Sequence, residues 1–206
     1  EGSKILDAGA GEQQYKKYCM HLKYTSQDIC QYTGAGNSKG LQTQKWDTSK
    51  IDIISDITNI PVDDNSYDIV LCSEVIEHVF NPLEAIKEFK RILKPNGLLI
   101  LTFPFRSLTH FAPYHFSSGF NKYWVYESCK LYEFKIKELY SYGNHRLHTF
   151  QEIIRSYTFT KYPKKLLYFL TFLPTLPFLV LLYFDGIMNA NETNDMDNLG
   201  YCLFAK

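Results

Sequence analysis

The stretch KILDAGAGEQQYKKY, Lys4 to Tyr18, decides the fold. An apolar pair, Ile5 and Leu6, leads into Asp7 and then into two glycines separated by a single residue, Gly9 and Gly11. Ile5-Leu6 opens a short buried-type strand. The glycines make the tight turn that ends it, because a Cβ there would fill a ligand's space or forbid the φ the turn needs. Gln13 to Leu22 then reads as a helix, which completes a strand, turn and helix unit.

The alternation continues downstream. Tyr24 to Cys30 reads as a second strand ending near Asp28, and Asp52 to Ser55 as a third. Tyr67 to Cys72 (YDIVLC) is a fourth, buried on both faces by its continuous apolar run. Glycine and polar residues between Thr33 and Ser49 predict a surface loop. Asn81-Pro82 predicts a capped helix start, with Leu83, Ile86, Phe89, Ile92 and Leu93 at helical spacing and Lys94-Pro95-Asn96-Gly97 as the stop. Leu98 to Phe103, Phe134 to Leu139 and Leu199 to Ala205 read as further strands. Strands alternating with helices predict an α/β domain with a mostly parallel sheet and helices on both faces.

Composition bounds the function. A chain of 206 residues predicts one domain, 1–206. Lys+Arg and Asp+Glu balance at 22 each, so overall charge gives no reason to expect a nucleic-acid partner. The five cysteines, Cys19, Cys30, Cys72, Cys129 and Cys202, are widely spaced with no CxxC pair, which predicts a reduced, cytoplasmic setting. Glu1 to Lys4 run straight into a strand pattern, so no leader peptide is expected.

In an open parallel sheet a ligand sits at the carboxyl ends of the strands, where strand order reverses. The exit of the first strand is therefore the candidate site. A dinucleotide fingerprint wants a third glycine three residues after the second, and Gln14 occupies that slot. Asp7 beside the glycines would also repel phosphates and attract a cation. Both features argue against a pyrophosphate ligand and a nicotinamide oxidoreductase.

ILDAGAG resembles the first motif of the class I S-adenosylmethionine-dependent methyltransferases, and the similarity runs from Lys4 to about Thr102. That resemblance implies a Rossmann-like seven-stranded sheet with an antiparallel last strand. It also implies S-adenosyl-L-methionine as cofactor. Gly9 and Gly11 would wrap the methionine moiety and Asp7 fix its amino group, directly or through water. Asp28 is placed like the acid that holds both ribose hydroxyls. Asp56 and Ile57 look like the pair that meets adenine, Asp56 accepting from the amine and Ile57 packing on the ring. CSEVIEHV, Cys72 to Val79, is similar to the segment that lines the cofactor, Ser73 included, and faces substrate. RILKPNGLLILTFP, Arg91 to Pro104, matches the family's helix, turn and fifth strand. The family's N-terminal covering helix has no counterpart ahead of Lys4, which leaves an open site or an incomplete chain as readings.

Methyl transfer from a sulfonium needs mainly alignment and, for some acceptors, proton removal. Candidates for that work are Glu74, His110 and His115, with Tyr114 to orient an acceptor. Each also has a structural reading: Glu74 and Glu77 as helix-cap or solvated acids, His78 as a packing residue. His110 and His115, five apart, make no metal site without further ligands, and none is expected; His145 and His148 read as surface residues.

One segment stands apart. Leu166 to Phe184 (LLYFLTFLPTLPFLVLLYF) is almost wholly apolar and follows Lys161, Lys164 and Lys165. Pro174 and Pro177 are expected to break it into two helical pieces, each too short to span a bilayer. A single crossing is excluded, since the strands before and after belong to one sheet. The stretch is read as part of an apolar helical insertion at about 145–190, with three uses open: a hairpin packed on the domain, a homodimer interface, or peripheral membrane contact through 166–184. The whole reading is methyl transfer to a small-molecule or glycan-type acceptor, in the cytoplasm or peripheral at the membrane. The alternative is a catalytically silent binding or membrane-associated scaffold module.

Overall fold

The structure is a computed structural model that describes residues 2–159, 165–189 and 197–206. They group into two compact units, Glu1–Tyr140 with Tyr201–Lys206, and Ser141–Gly200. Seven strands form one sheet: β1 (Lys4–Ala8), β2 (Lys23–Asp28), β3 (Ile53–Ile54), β4 (Tyr67–Ser73), β5 (Leu93–Pro104), β6 (Ile136–Tyr142) and β7 (Gly200–Ala205). Their order is β3-β2-β1-β4-β5-β7-β6. β1 pairs in parallel with β2 and β4, β2 with β3, and β4 with β5. Lys135 and Lys206 exchange both backbone hydrogen bonds, at 2.6 and 2.9 Å, as an antiparallel pair beside β6 and β7 does. This is the Rossmann-like sheet expected from the sequence. Its order reverses between β1 and β4, which puts the switch point at the glycine turn.

Helix α1 (Pro82–Ile92) covers the sheet with Ala85, Ile86, Phe89 and Ile92, all buried against Leu6, Val70, Leu99 and Leu101. Each such apolar side chain stabilises the domain by about 1.5 to 3 kcal/mol through burial. Helix α2 (Lys122–Leu131), which the sequence did not signal, begins at Asn121, whose side chain accepts from the backbone of Tyr123 and Trp124.

Several local expectations are corrected. Gln13 to Leu22 forms no α-helix but turns and a single 3-10 turn at Lys16–Tyr18. Gln13 sits at φ 58°, outside the helical region, and its side chain donates to Ser26 Oγ at 2.9 Å, so tertiary bonding overrides the helical pattern. β4 is buried at Tyr67, Val70 and Cys72 but only half-buried at Asp68, Ile69, Leu71 and Ser73, rather than closed on both faces. Asn81 precedes α1 but makes no capping side-chain bond. β5 begins at Leu93, directly after α1, because Leu93 already pairs with Tyr67 ahead of a bulge.

In the second unit, α3 (His145–Phe159) packs with α4 (Lys165–Met188) through Tyr157 on Phe172 and Phe150 on Tyr183, ring centroids 4.9 and 5.1 Å apart. The expected break at Pro174 and Pro177 does not occur: α4 runs unbroken through both for 24 residues. Prolines remove backbone donors, and Thr175 Oγ1 donates back to Phe172 O at 2.7 Å within that turn. His148, read as a surface residue, is 2% exposed and pairs with Asp197 Oδ1 at 3.0 Å. Lys161 and Lys164 lie outside the described residues, as does the side chain of Lys165. All five cysteines are free thiols.

Candidate active site

A cleft of about 820 Å3 opens at the switch point. Its floor is the turn after β1. Gly9 and Gly11 adopt φ 74° and 51°, the left-handed region that favours glycine. A Cβ on Gly9 would stand 2.5 Å from a Val75 methyl carbon, and one on Gly11 would stand 3.0 Å from the Trp46 ring. The turn is fixed by Gly9 and Ala10 N–H groups donating to Gln27 O, at 2.8 and 2.9 Å.

Asp28, at the end of β2, accepts from Gly11 N at 2.9 Å on one oxygen and from Cys30 N at 2.7 Å on the other. Its carboxylate thus ties the glycine turn to β2 while lining the cleft. A carboxylate offers about four acceptor positions, so two remain for a diol. Asp56 begins the turn after β3, accepting from Thr58 N and Thr58 Oγ1 at 2.8 and 2.7 Å. It lines the cleft beside Ile57, whose side chain also enters the core. Ser73 lines it too, its hydroxyl bonded to Tyr15 OH and Thr102 Oγ1, both at 2.8 Å.

Asp7 differs from the other acids. It does not line the cleft: it is 2% exposed and accepts from Tyr24 OH at 2.6 Å. Burial pushes its carboxyl up to about 6, the Tyr24 bond opposing and the nearby Asp28 charge adding.

On the far wall Glu74, at φ 55°, is exposed and lines the cleft together with His78, Phe111 and Tyr114. His110 and His115 do not line it. Their rings stand beside that of His78, centroids 4.5 and 5.7 Å away. His78 stacks on Phe111, and its Nδ1 meets Tyr114 O at 2.6 Å, so it does pack as read while also facing the cleft. Burial is the main cause that lowers His78 to about 4, and it lowers His115 as well.

The Thr33–Ser49 loop carries residues the sequence reading missed. It docks on the segment after β5 through Leu41 N to Thr109 O, Phe111 N to Leu41 O and Asn37 N to Ala112 O, each 2.9 Å. Tyr32, Trp46 and Phe111 then cluster at 4.6 to 5.3 Å between centroids, and all three line the cleft. Their aromatic character was visible; their convergence needed the fold.

The glycine cradle, the diol-ready acid after β2 and the acid-aliphatic pair after β3 all fit S-adenosyl-L-methionine. Comparison with known proteins bears on the domain rather than on these residues. Residues 6–101 match the family model described as a methyltransferase domain. A demethylmenaquinone methyltransferase of Staphylococcus epidermidis is 32% identical over 105 residues, 48% of this chain and 42% of that protein. A SAM dependent methyltransferase from Archaeoglobus fulgidus superposes with a TM-score of 0.58 at 14% identity, covering 100% of this chain and 86% of the other. Haemonchus contortus phosphoethanolamine N-methyltransferase 2, in complex with S-adenosyl-L-methionine, gives 0.51 at 17% identity, over 99% of this chain and 48% of that one. At such identities the two structures speak for the fold alone. The chain spans less than half the length of the curated relatives it matches. Over residues 6–101 the chain is similar to a methyltransferase domain, and its sheet has the Rossmann-like order described above.

Proposed function

We propose that this protein transfers a methyl group from S-adenosyl-L-methionine to a small amphipathic acceptor of the glycan or lipid-linked class. The carrying observation is Asp28, which accepts from Gly11 N of the glycine turn on one oxygen and from Cys30 N on the other, and keeps acceptor capacity toward the cleft. In this reading Asp28 accepts the ribose hydroxyls and Asp56 the adenine amine, while Ile57 packs on the ring. The Gly9–Gly11 backbone carries the methionine portion, and Ser73 borders it. Asp7 acts across the turn as a buried negative charge that favours the cationic amino group.

S-adenosyl-L-methionine supplies an activated methyl with an excellent leaving group, so the chain's task is to align an acceptor and take its proton. Glu74 is the group on the wall best placed to accept that proton, because His78 is held neutral by burial and is a weak base. Phe111, Tyr114 and Phe116 give the acceptor an aromatic wall. His110 and His115 stand one layer away and serve His78 rather than the acceptor in this reading.

Calorimetry with S-adenosylhomocysteine tests the proposal. Asp28→Ala is expected to weaken binding by about 1 to 3 kcal/mol, the loss of a charged hydrogen-bonding partner. Unchanged affinity would refute the assignment. Tight binding by the parent with no transfer to any acceptor would favour a silent binding module instead.

The exposed apolar helix supports a place for this chemistry at the cytoplasmic face of a membrane. Leu170–Met188 is long and apolar enough to cross a bilayer, and only 11% of it is buried. Since β6 and β7 share one sheet, the helical pair between them enters and leaves on the same side.

A further inference from the structure

Beside the cleft, Glu77, His78 and His110 converge in a way methyl transfer does not require. Glu77 is 1% exposed, and neither of its carboxylate oxygens has a hydrogen-bond partner. His78 Nδ1 lies 2.6 Å from Tyr114 O, and His110 Nδ1 lies 2.8 Å from Leu108 O. A carbonyl only accepts, so each Nδ1 carries a proton, which leaves each Nε2 as the ring nitrogen available to a metal. Both Nε2 atoms face the same Glu77 oxygen, at 3.7 and 3.9 Å. No hydrogen bond joins these three atoms at those separations. A cation between them would meet an orphaned buried carboxylate oxygen and both imidazole nitrogens at once.

From this geometry we infer a divalent transition-metal site, of the zinc type, held by Glu77 Oε1, His78 Nε2 and His110 Nε2. The three ligand atoms lie within 4.8 Å of one another. The separations from Glu77 are too long for hydrogen bonds, but ligands bonded at about 2.0 to 2.1 Å around tetrahedral zinc stand about 3.3 Å apart, so those two pairs need to close by only about half an ångström. Two imidazoles and one carboxylate select zinc over magnesium or calcium, which want oxygen ligands. The Nδ1–H bonds to backbone carbonyls are the outer-shell support that orients a ligating histidine. Three protein ligands leave a fourth position for water or an acceptor atom. His110, after β5, thus gains the further ligands that sequence spacing had hidden, and His115 takes no part. The site stands independently of the methyltransferase reading.

The test is a titration of the chelator-stripped full chain with Zn2+ by calorimetry, and with Co2+ by visible absorption. One equivalent per chain is expected, with the intense cobalt bands of a tetrahedral site, and no competition from Mg2+. Glu77→Gln and His110→Asn are each expected to weaken zinc binding by more than about tenfold to a hundredfold, since losing even an outer-shell partner costs that much. Folding of both variants is checked by circular dichroism. Substoichiometric uptake, or equal zinc binding by parent and both folded variants, would mean adventitious metal and would overturn the site.

Discussion

Burial pushes the Asp7 carboxyl up to about 6, although Tyr24 OH donates to it at 2.6 Å. Removing the charge from water therefore outweighs the hydrogen bond. The folded pKa lies above the unfolded value of about 3.9, so the protonated form favours folding. That contribution is complete below about pH 4 and is lost as pH rises through about 6. Asp7→Asn keeps an oxygen for Tyr24 and removes the charge. Relative to the parent it is expected to be little changed at pH 4 and more stable by about 2 to 3 kcal/mol at pH 8. Urea midpoints at the two pH values measure this; a gap that fails to open with pH would show that the carboxylate is solvated after all. At this scale Gly9, Gly11, Asp28 and Asp56 were legible, because strand ends and spacing assign them. Trp46 and Glu77 were not, since what they do depends on neighbours distant in sequence.

Among elements, α1 shows how a readable helix acquires an unreadable anchor. Its apolar spacing and proline start were plain, but Arg91 also clamps the chain that leads into β4. Arg91 bonds both Glu88 oxygens at 2.7 and 2.8 Å, Asp64 at 2.6 Å, and the carbonyls of Ile60 and Val62 at 2.9 and 2.8 Å. Glu88 is nearly buried and also accepts from Ile60 N at 2.7 Å. Arg91→Ala strands that carboxylate and is expected to destabilise the domain by about 3 kcal/mol, read as a lower denaturant midpoint. Arg91→Ala with Glu88→Gln should recover much of the loss; no recovery would mean that the two side chains are not coupled. The missing helix after β1 is the opposite case. Its residues had helical spacing, but Gln13 bonded to Ser26 and a left-handed turn at Gly11 ended the helix before it began.

For the molecule as a whole, the distinctive element is α4, whose apolar side chains are largely exposed. At about 1.5 Å per residue its 24 residues extend about 36 Å, the reach of a bilayer core. Phe178 and Leu181 are among its exposed apolar side chains. Phe178→Glu with Leu181→Glu removes two groups each worth about 1.5 to 3 kcal/mol when buried in hydrocarbon. Flotation with anionic liposomes is expected to recover the parent and to lose at least about tenfold of the double variant. A parent that stays at the bottom of the gradient, as a dimer by light scattering, would assign the helix to a second copy instead.

The sequence by itself determined the seven strands, the glycine turn at the end of the first, and the acids at the ends of the second and third. Those follow from periodicity and chain order, which act over a few residues. Only the tertiary structure decided that the 33–49 loop reaches the segment after β5, that α4 continues through two prolines, and that Glu77 faces two imidazoles. These depend on which surfaces meet and which polar groups lose water together. Such energies belong to pairs of residues far apart in the chain, and no local pattern records them.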